Sequence, residues 1–231
     1  MSWRQERRSV KHHGLPWQGW RNKSRLGILD LYDKAHTEAQ QAAIVILFET
    51  GCRVTEALAL KPEMFRINEE SIVGYNVPVE KYYSYVKEDG EKVLNDNPEL
   101  NRKFKTLSKD VVRQVFIKRK GNPLSEMFVY LIENCETEYL LPARSKTYSR
   151  VLPGDMMTRQ YLYKLIRGLD NRVWPHWVRS QTISYLIEEV GLDPYAIKLW
   201  ASWSSLEMSS EYFKRGGAEL GRLMKVTKWA V

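Results

Sequence analysis

The chain predicts an α+β fold, mainly α, in which a small antiparallel β-sheet sits on a helical core. Apolar residues recur at helical spacing in several stretches that open on capping residues, and two of these close on glycine. The pattern turns strand-like instead at Phe65 to Val73 and at Phe104 to Ile117, the latter ending in a run with β-branched residues. With 231 residues, 43% of them hydrophobic, the chain can bury one sizeable core.

Residues 1–27 form a basic arm in which Arg4, Arg7, Arg8, Lys11, Arg21, Lys23 and Arg25 face the single acid Glu6. With a net charge of +8, the arm suits a polyanion, whose phosphates it would neutralise. An equally open reading is a poorly ordered basic terminus. Trp3, Trp17 and Trp20 lie near Gly14, Pro16 and Gly19, which predicts irregular structure packed on the main domain or in a nucleic-acid groove. His12 and His13 have no metal-ligand partners at useful spacing and read as surface residues.

Thr37 and Gln40 make a capping box for a buried helix that runs to Gly51. Thr55 to Leu60 can form a second helix, closed by Pro62, so Arg53 falls at the junction between the two. A buried arginine requires a partner. Glu56, one turn on, is that partner, either as a structural ion pair or as a brace that turns Arg53 toward a substrate.

A strand is expected from Phe65 to Val73, then an insertion loop or ragged hairpin over residues 74–101. Two strands follow between Phe104 and Ile117, around a turn near Ser108 to Asp110, with Lys105 and Lys109 on or beside that turn. Further helices are expected at Ser125 to Glu133, capped by Ser125, and at Met156 to Arg167, capped by Asp155. Three more follow: one after His176 as far as Gly191, one opened by Asp193 and Pro194, and one from Ser204 and Ser205 that carries Tyr212. Gly216 and Gly217 set off a basic tail helix, which docks on a neighbouring subunit or on its own domain.

No apolar run approaches the ~18 residues of a membrane span, and Met1 is not followed by an apolar signal region. Cys52 and Cys135 read as reduced residues of an intracellular protein, with a buried disulfide as the alternative.

Taken singly, His176, Trp203 and Tyr212 have ordinary structural explanations. Their order and spacing change that. Thr50, Gly51, Arg53 and Glu56 spell T-G-x-R-x-x-E, a lysine follows in the strand region, His176 and Arg179 spell H-x-x-R, and Trp203 precedes Tyr212 by nine residues. This series resembles the tyrosine recombinase (phage-type integrase) family from about Ile28 to Arg215. The resemblance implies the DNA breaking-rejoining catalytic domain over residues 28–215, with residues 216–231 as a tail that could dock on another subunit.

The same resemblance implies a catalytic set of Arg53, Lys105, His176, Arg179, Trp203 and Tyr212, supported by Glu56. Lys105 is matched through its K-T sequence, with Lys109 as the other candidate. Trp203 stands where most members have His, and Ser180 where many have a second His. Tyr212 would be the nucleophile, joined to a DNA 3′ phosphate. A free tyrosine titrates near ~10 and is a weak nucleophile at neutral pH, so it needs a base and a cationic site.

The implied partners are double-stranded DNA at a specific site and further copies of the chain, dimer to tetramer, with no metal, cofactor or membrane. The nearest rivals are a type IB topoisomerase-like enzyme and a non-catalytic DNA-binding relative. Members usually carry a separate helical DNA-binding domain before the catalytic one, whereas here the short arm alone precedes it.

Overall fold

A computed structural model describes residues 17–23, 26–88, 91–94, 103–144, 151–203 and 206. Helix α1 (Ile28–Asp33) leads to α2 (Glu38–Thr50), the centre of the core. Thr37 caps α2 as expected: its Oγ1 accepts the Gln40 N–H at 3.2 Å, and Gln40 Oε1 accepts the His36 N–H at 3.1 Å. Every residue from Ala42 to Thr50 is buried. Gly51 ends the helix at φ +53°, in the left-handed region.

Around α2 pack α4 (Ser125–Glu133), α5 (Arg159–Leu169) and α6 (Pro175–Glu188). Each fully buried large aliphatic side chain, such as Ile44, Ile46 or Leu47, contributes about 1.5–3 kcal/mol to this core. Between α2 and α4 in sequence come the short α3 (Val54–Leu58), a 3-10 turn at Pro62–Met64, and the sheet. Helix α7 (Pro194–Ala201), capped by Asp193 as expected, packs on α6 and on the sheet.

The sheet is built on one long strand. β2 (Ser71–Glu88) pairs antiparallel with β1 (Phe65–Ile67), β3 (Glu91–Leu94) and β4 (Lys103–Lys118). A separate two-stranded sheet joins β5 (Pro142–Arg144) to β6 (Val151–Met156).

Several boundaries differ from expectation. The single strand expected over Phe65 to Val73 is the β1–β2 hairpin, closed where the Asn68 N–H meets the Ser71 carbonyl at 2.8 Å. The loop expected over residues 74–101 is strand as far as Glu88 and again at Glu91–Leu94. Its alternation was masked because register shifts between Gly74 and Val77 and between Pro78 and Glu80 break the period. Yet Val77 and Val79 are fully buried.

The two strands expected between Phe104 and Ile117 are the one strand β4, so Lys105 and Lys109 lie within a strand and not on a turn. The polar Ser108 to Asp110 segment coincides with the irregular register, and Ser108 Oγ accepts the Val111 N–H at 3.0 Å. Ser125 is the first residue of α4 and not its cap; its Oγ donates to the Asn122 carbonyl at 2.7 Å. Asp155 belongs to β6, and Thr158 caps α5 through the Tyr161 N–H at 3.3 Å. The helix expected after Ser204 and the tail helix lie outside the described residues.

The end of the arm is seated on the main domain. Trp17 and Trp20 meet at 5.5 Å between ring centroids and pack on Phe48 and Tyr185. The Trp17 N–H donates to Glu188 Oε1 at 3.0 Å and the Gln18 N–H to Gln181 Oε1 at 2.9 Å, tying the arm to α6. Cys52 and Cys135 are free, the first buried and the second partly so. Among the described residues no helix is long and apolar enough to cross a membrane.

Candidate active site

The turn from α2 into α3 places Arg53 at the start of α3, with φ −66° and ψ 160°. Glu56 reaches back to hold it twice: Oε2 accepts the Arg53 N–H at 2.8 Å and Oε1 accepts from Nη1 at 2.7 Å. The Arg53 side chain keeps 28% of its surface exposed while Glu56 keeps 1%. One member of the pair therefore faces outward and the other is core.

Glu56 serves more than Arg53. Arg179 Nη1 stands 3.8 Å and Arg113 Nη2 3.9 Å from its Oε2, and the Glu80 N–H donates to Oε1 at 2.9 Å. Burial by itself would raise the Glu56 carboxyl, but Arg179, Arg113 and Arg53 together hold it below the usual carboxylate range. Three guanidiniums around one carboxylate leave an excess of two positive charges. An excess of that kind among mostly buried groups, with Arg53 partly exposed, favours an anion.

Arg179 comes from the first half of α6, on the turn after His176. Its Nη1 donates to the Gly51 carbonyl and its Nη2 to the Ala201 carbonyl at 3.4 Å. Burial pulls its guanidinium down to about 10, with Glu56 opposing, so it stays charged near neutrality. Its side chain is 3% exposed. Arg53 is thus the more open cation, and Arg179 is turned toward two helix ends.

Sequence reasoning missed Arg113. It lies on β4 on the same face as the buried Val115 and Ile117, flanked by the exposed Val112 and Gln114. That alternation was legible: a lone arginine at a core-facing strand position, amid β-branched residues, needs an acid or carbonyl partner. Its Nη1 meets the Trp200 carbonyl at 2.5 Å, and its Nη2 meets the Thr50 carbonyl and Cys52 Sγ, each at 3.1 Å.

Trp203 is buried and lies two residues beyond Ala201, its N–H closing α7 on the Lys198 carbonyl at 3.0 Å. Ser202 turns the chain at φ +52°. Arg53, Arg179 and the approach to Trp203 are therefore brought together. His176 is half-buried on the preceding turn of α6. Lys105 is placed through its backbone, opposite Tyr82 in the β2–β4 register.

Tyr212 and the arm residues Arg4, Arg7, Arg8, Lys11 and Arg25 lie outside the described residues. Of the remaining arm cations, Lys23 is exposed, and Arg21 is ion-paired with Asp33 at 2.5 Å and Asp30 at 3.6 Å.

No protein-family model and no curated protein matches the chain. Solved structures do. The XerA recombinase superposes with a TM-score of 0.55 at 13% identity, over 96% of this chain and 68% of the other. The XerH site-specific recombinase, in a pre-cleavage complex with its difH substrate, gives 0.51 at 20% identity, over 84% of this chain and 49% of the other. The Tn1549 transposon integrase, in complex with a circular intermediate DNA, gives 0.52 at 16% identity over 92% and 67%. The fold is therefore that of the tyrosine recombinase catalytic domain, and the chain spans about half the length of the XerH recombinase chain it matches.

Proposed function

We propose that the chain is a site-specific DNA recombinase or integrase that cuts and rejoins strands through a 3′-phosphotyrosyl bond on Tyr212. The observation that carries this reading is the gathering of Arg53, Arg113 and Arg179 about the buried carboxylate of Glu56, with Arg53 partly exposed. Residues 28–215 act as the catalytic domain, residues 1–27 add phosphate contacts along the duplex, and residues 216–231 dock on a neighbouring subunit. Several copies assemble on DNA.

Arg53 meets the scissile phosphate first. Arg179 reaches it when the Ala201–Trp203 lip moves outward, exchanging its two carbonyl partners for the non-bridging oxygens. Paired N–H donors there stabilise the charge that builds as phosphorus becomes five-coordinate. The Tyr212 oxygen bonds to phosphorus while the bond to the 5′ oxygen breaks. The phenol proton passes to His176, and Lys105 protonates the leaving oxygen. Trp203 supplies an indole N–H and a wall for the phosphate. One phosphodiester is exchanged for another, so rejoining by the reverse steps requires no ATP.

The test uses a labelled duplex, selected from a random-sequence library by binding to the protein and nicked at successive positions. A protein–DNA band that survives detergent is expected without added metal or ATP, and is lost in Tyr212→Phe. A band that persists in that variant, or none at any nick position, contradicts the proposal. Joining of two duplexes, as opposed to relaxation of one, separates a recombinase from a topoisomerase-like enzyme.

A further inference from the structure

We infer that Arg113 is a positioning residue, which keeps the ends of α2 and α7 together when Arg179 leaves them for a substrate phosphate. This rests on the strand-transfer reading and adds to it a residue that touches no DNA.

The two helix ends are bridged twice, one residue apart. Arg113 donates to Thr50 and Trp200, and Arg179 donates to the next residue of each segment, Gly51 and Ala201. Carbonyls at helix ends lack partners within their own helix, so both ends depend on donors from elsewhere. A guanidinium is suited to this task because its planar fork serves two acceptors at once in fixed geometry.

The bridges differ in what holds them. Arg179 lies on α6, on the turn after His176, at the lip that leads to Trp203. Arg113 is anchored in the sheet, its guanidinium 5.2 Å from the centre of the Trp200 ring. That ring also fills the space beside Gly51, where any Cβ would overlap it. Arg113 thus fixes the root of the lip at Trp200. Motion is left to the residues beyond, from the Ala201 carbonyl through Ser202 with its left-handed φ of +52°. Without Arg113, release of Arg179 would free both helix ends and carry Trp203 away from Arg53.

The experiment compares the full chain with Arg113→Met and Arg113→Lys in three readouts. These are single-turnover adduct formation on the selected nicked duplex, affinity for that duplex, and the indole N–H signal of Trp203 in a nitrogen-15 spectrum. For Arg113→Met, folded by circular dichroism, adduct formation is expected to fall about a hundredfold, the loss typical of a site misplaced by an ångström, while affinity stays close to wild type. The Trp203 signal should shift or split. Arg113→Lys should recover little of the rate, because a lysine lacks the planar fork that holds the Thr50 and Trp200 carbonyls in fixed geometry.

An unchanged rate, a loss that follows affinity alone, or full recovery by lysine overturns the inference. Should Arg113→Met not fold, Arg113→Lys decides by the same criteria. If the wild-type chain forms no adduct, the strand-transfer reading fails. The Trp203 signal then decides for Arg113: unmoved in folded Arg113→Lys, it overturns the positioning role.

Discussion

Arg179 and Gly51 lie 128 residues apart in sequence, and the guanidinium of the first donates to the carbonyl of the second. That bond joins the H-x-x-R segment of α6 to the T-G-x-R-x-x-E turn after α2. It places two distant arginines, Arg53 and Arg179, on the two oxygens of Glu56. The consequences can be measured.

Glu56→Gln leaves three guanidiniums without their shared anion. Removing one partner of a buried ion pair typically costs about 3–5 kcal/mol. Denaturant unfolding should show a loss of that order. A loss below about 1 kcal/mol, the level of an exposed ion pair, would show that Glu56 is not the hub of the cluster.

Gly51→Ala meets two obstacles. The residue sits at φ +53°, which costs an ordinary side chain about 1–2 kcal/mol, and its Cβ would overlap the Trp200 ring. Stability should fall by more than the backbone term alone, and Trp200 fluorescence should change with it. Retention of both would mean that the helix end and α7 are not in contact.

Glu49 predicts a pH dependence. It is 4% exposed, its Oε2 accepts from Asn122 Nδ2 at 2.7 Å, and its Oε1 has no partner among the described residues. Burial pushes its carboxyl up to about 8 from 4.5, against the Asn122 hydrogen bond. Between these values the unfolded chain has released a proton that the folded chain retains. The group's contribution to stability is therefore full below the lower value, falls through the window, and declines no further above the upper one. The slope within the window is at most about 1.4 kcal/mol per pH unit. Glu49→Gln should flatten this part of the stability profile; an unaltered profile would show that Glu49 ionises in the fold at ordinary pH.

The helical core was legible because Thr37, Gly51, Asp193 and the apolar stripes are local signals. The sheet was harder. Its long strands carry register shifts beside Gly74 and Pro78 that break the alternation, so β2 read as loop and β4 as a hairpin. Glu56 was legible as the partner of Arg53, one turn on, while the site roles of Arg53 and Arg179 came from the family resemblance that their short motifs carry. Arg113 stands at a core-facing strand position that calls for a partner, but which partner was not legible, because Thr50 and Trp200 lie 63 and 87 residues away.

The role given to Lys105 can be separated from that of Lys109. A duplex whose scissile 5′ oxygen is replaced by sulfur has a leaving group that needs no proton. Lys105→Ala should slow cleavage of ordinary DNA about 10²–10⁴-fold, the usual contribution of a general acid, and cleave the sulfur duplex at close to the wild-type rate. If Lys109→Ala shows that pattern and Lys105→Ala does not, the assignment moves to Lys109.

The central claim is a covalent bond between one phenol and DNA. Digesting the trapped adduct with nuclease and protease, then sequencing the modified peptide by mass spectrometry, reads it directly. The account predicts a nucleotide bonded through its 3′ phosphate to Tyr212. A nucleotide on another residue, or an intact unmodified Tyr212 peptide from cleaved complexes, would contradict it.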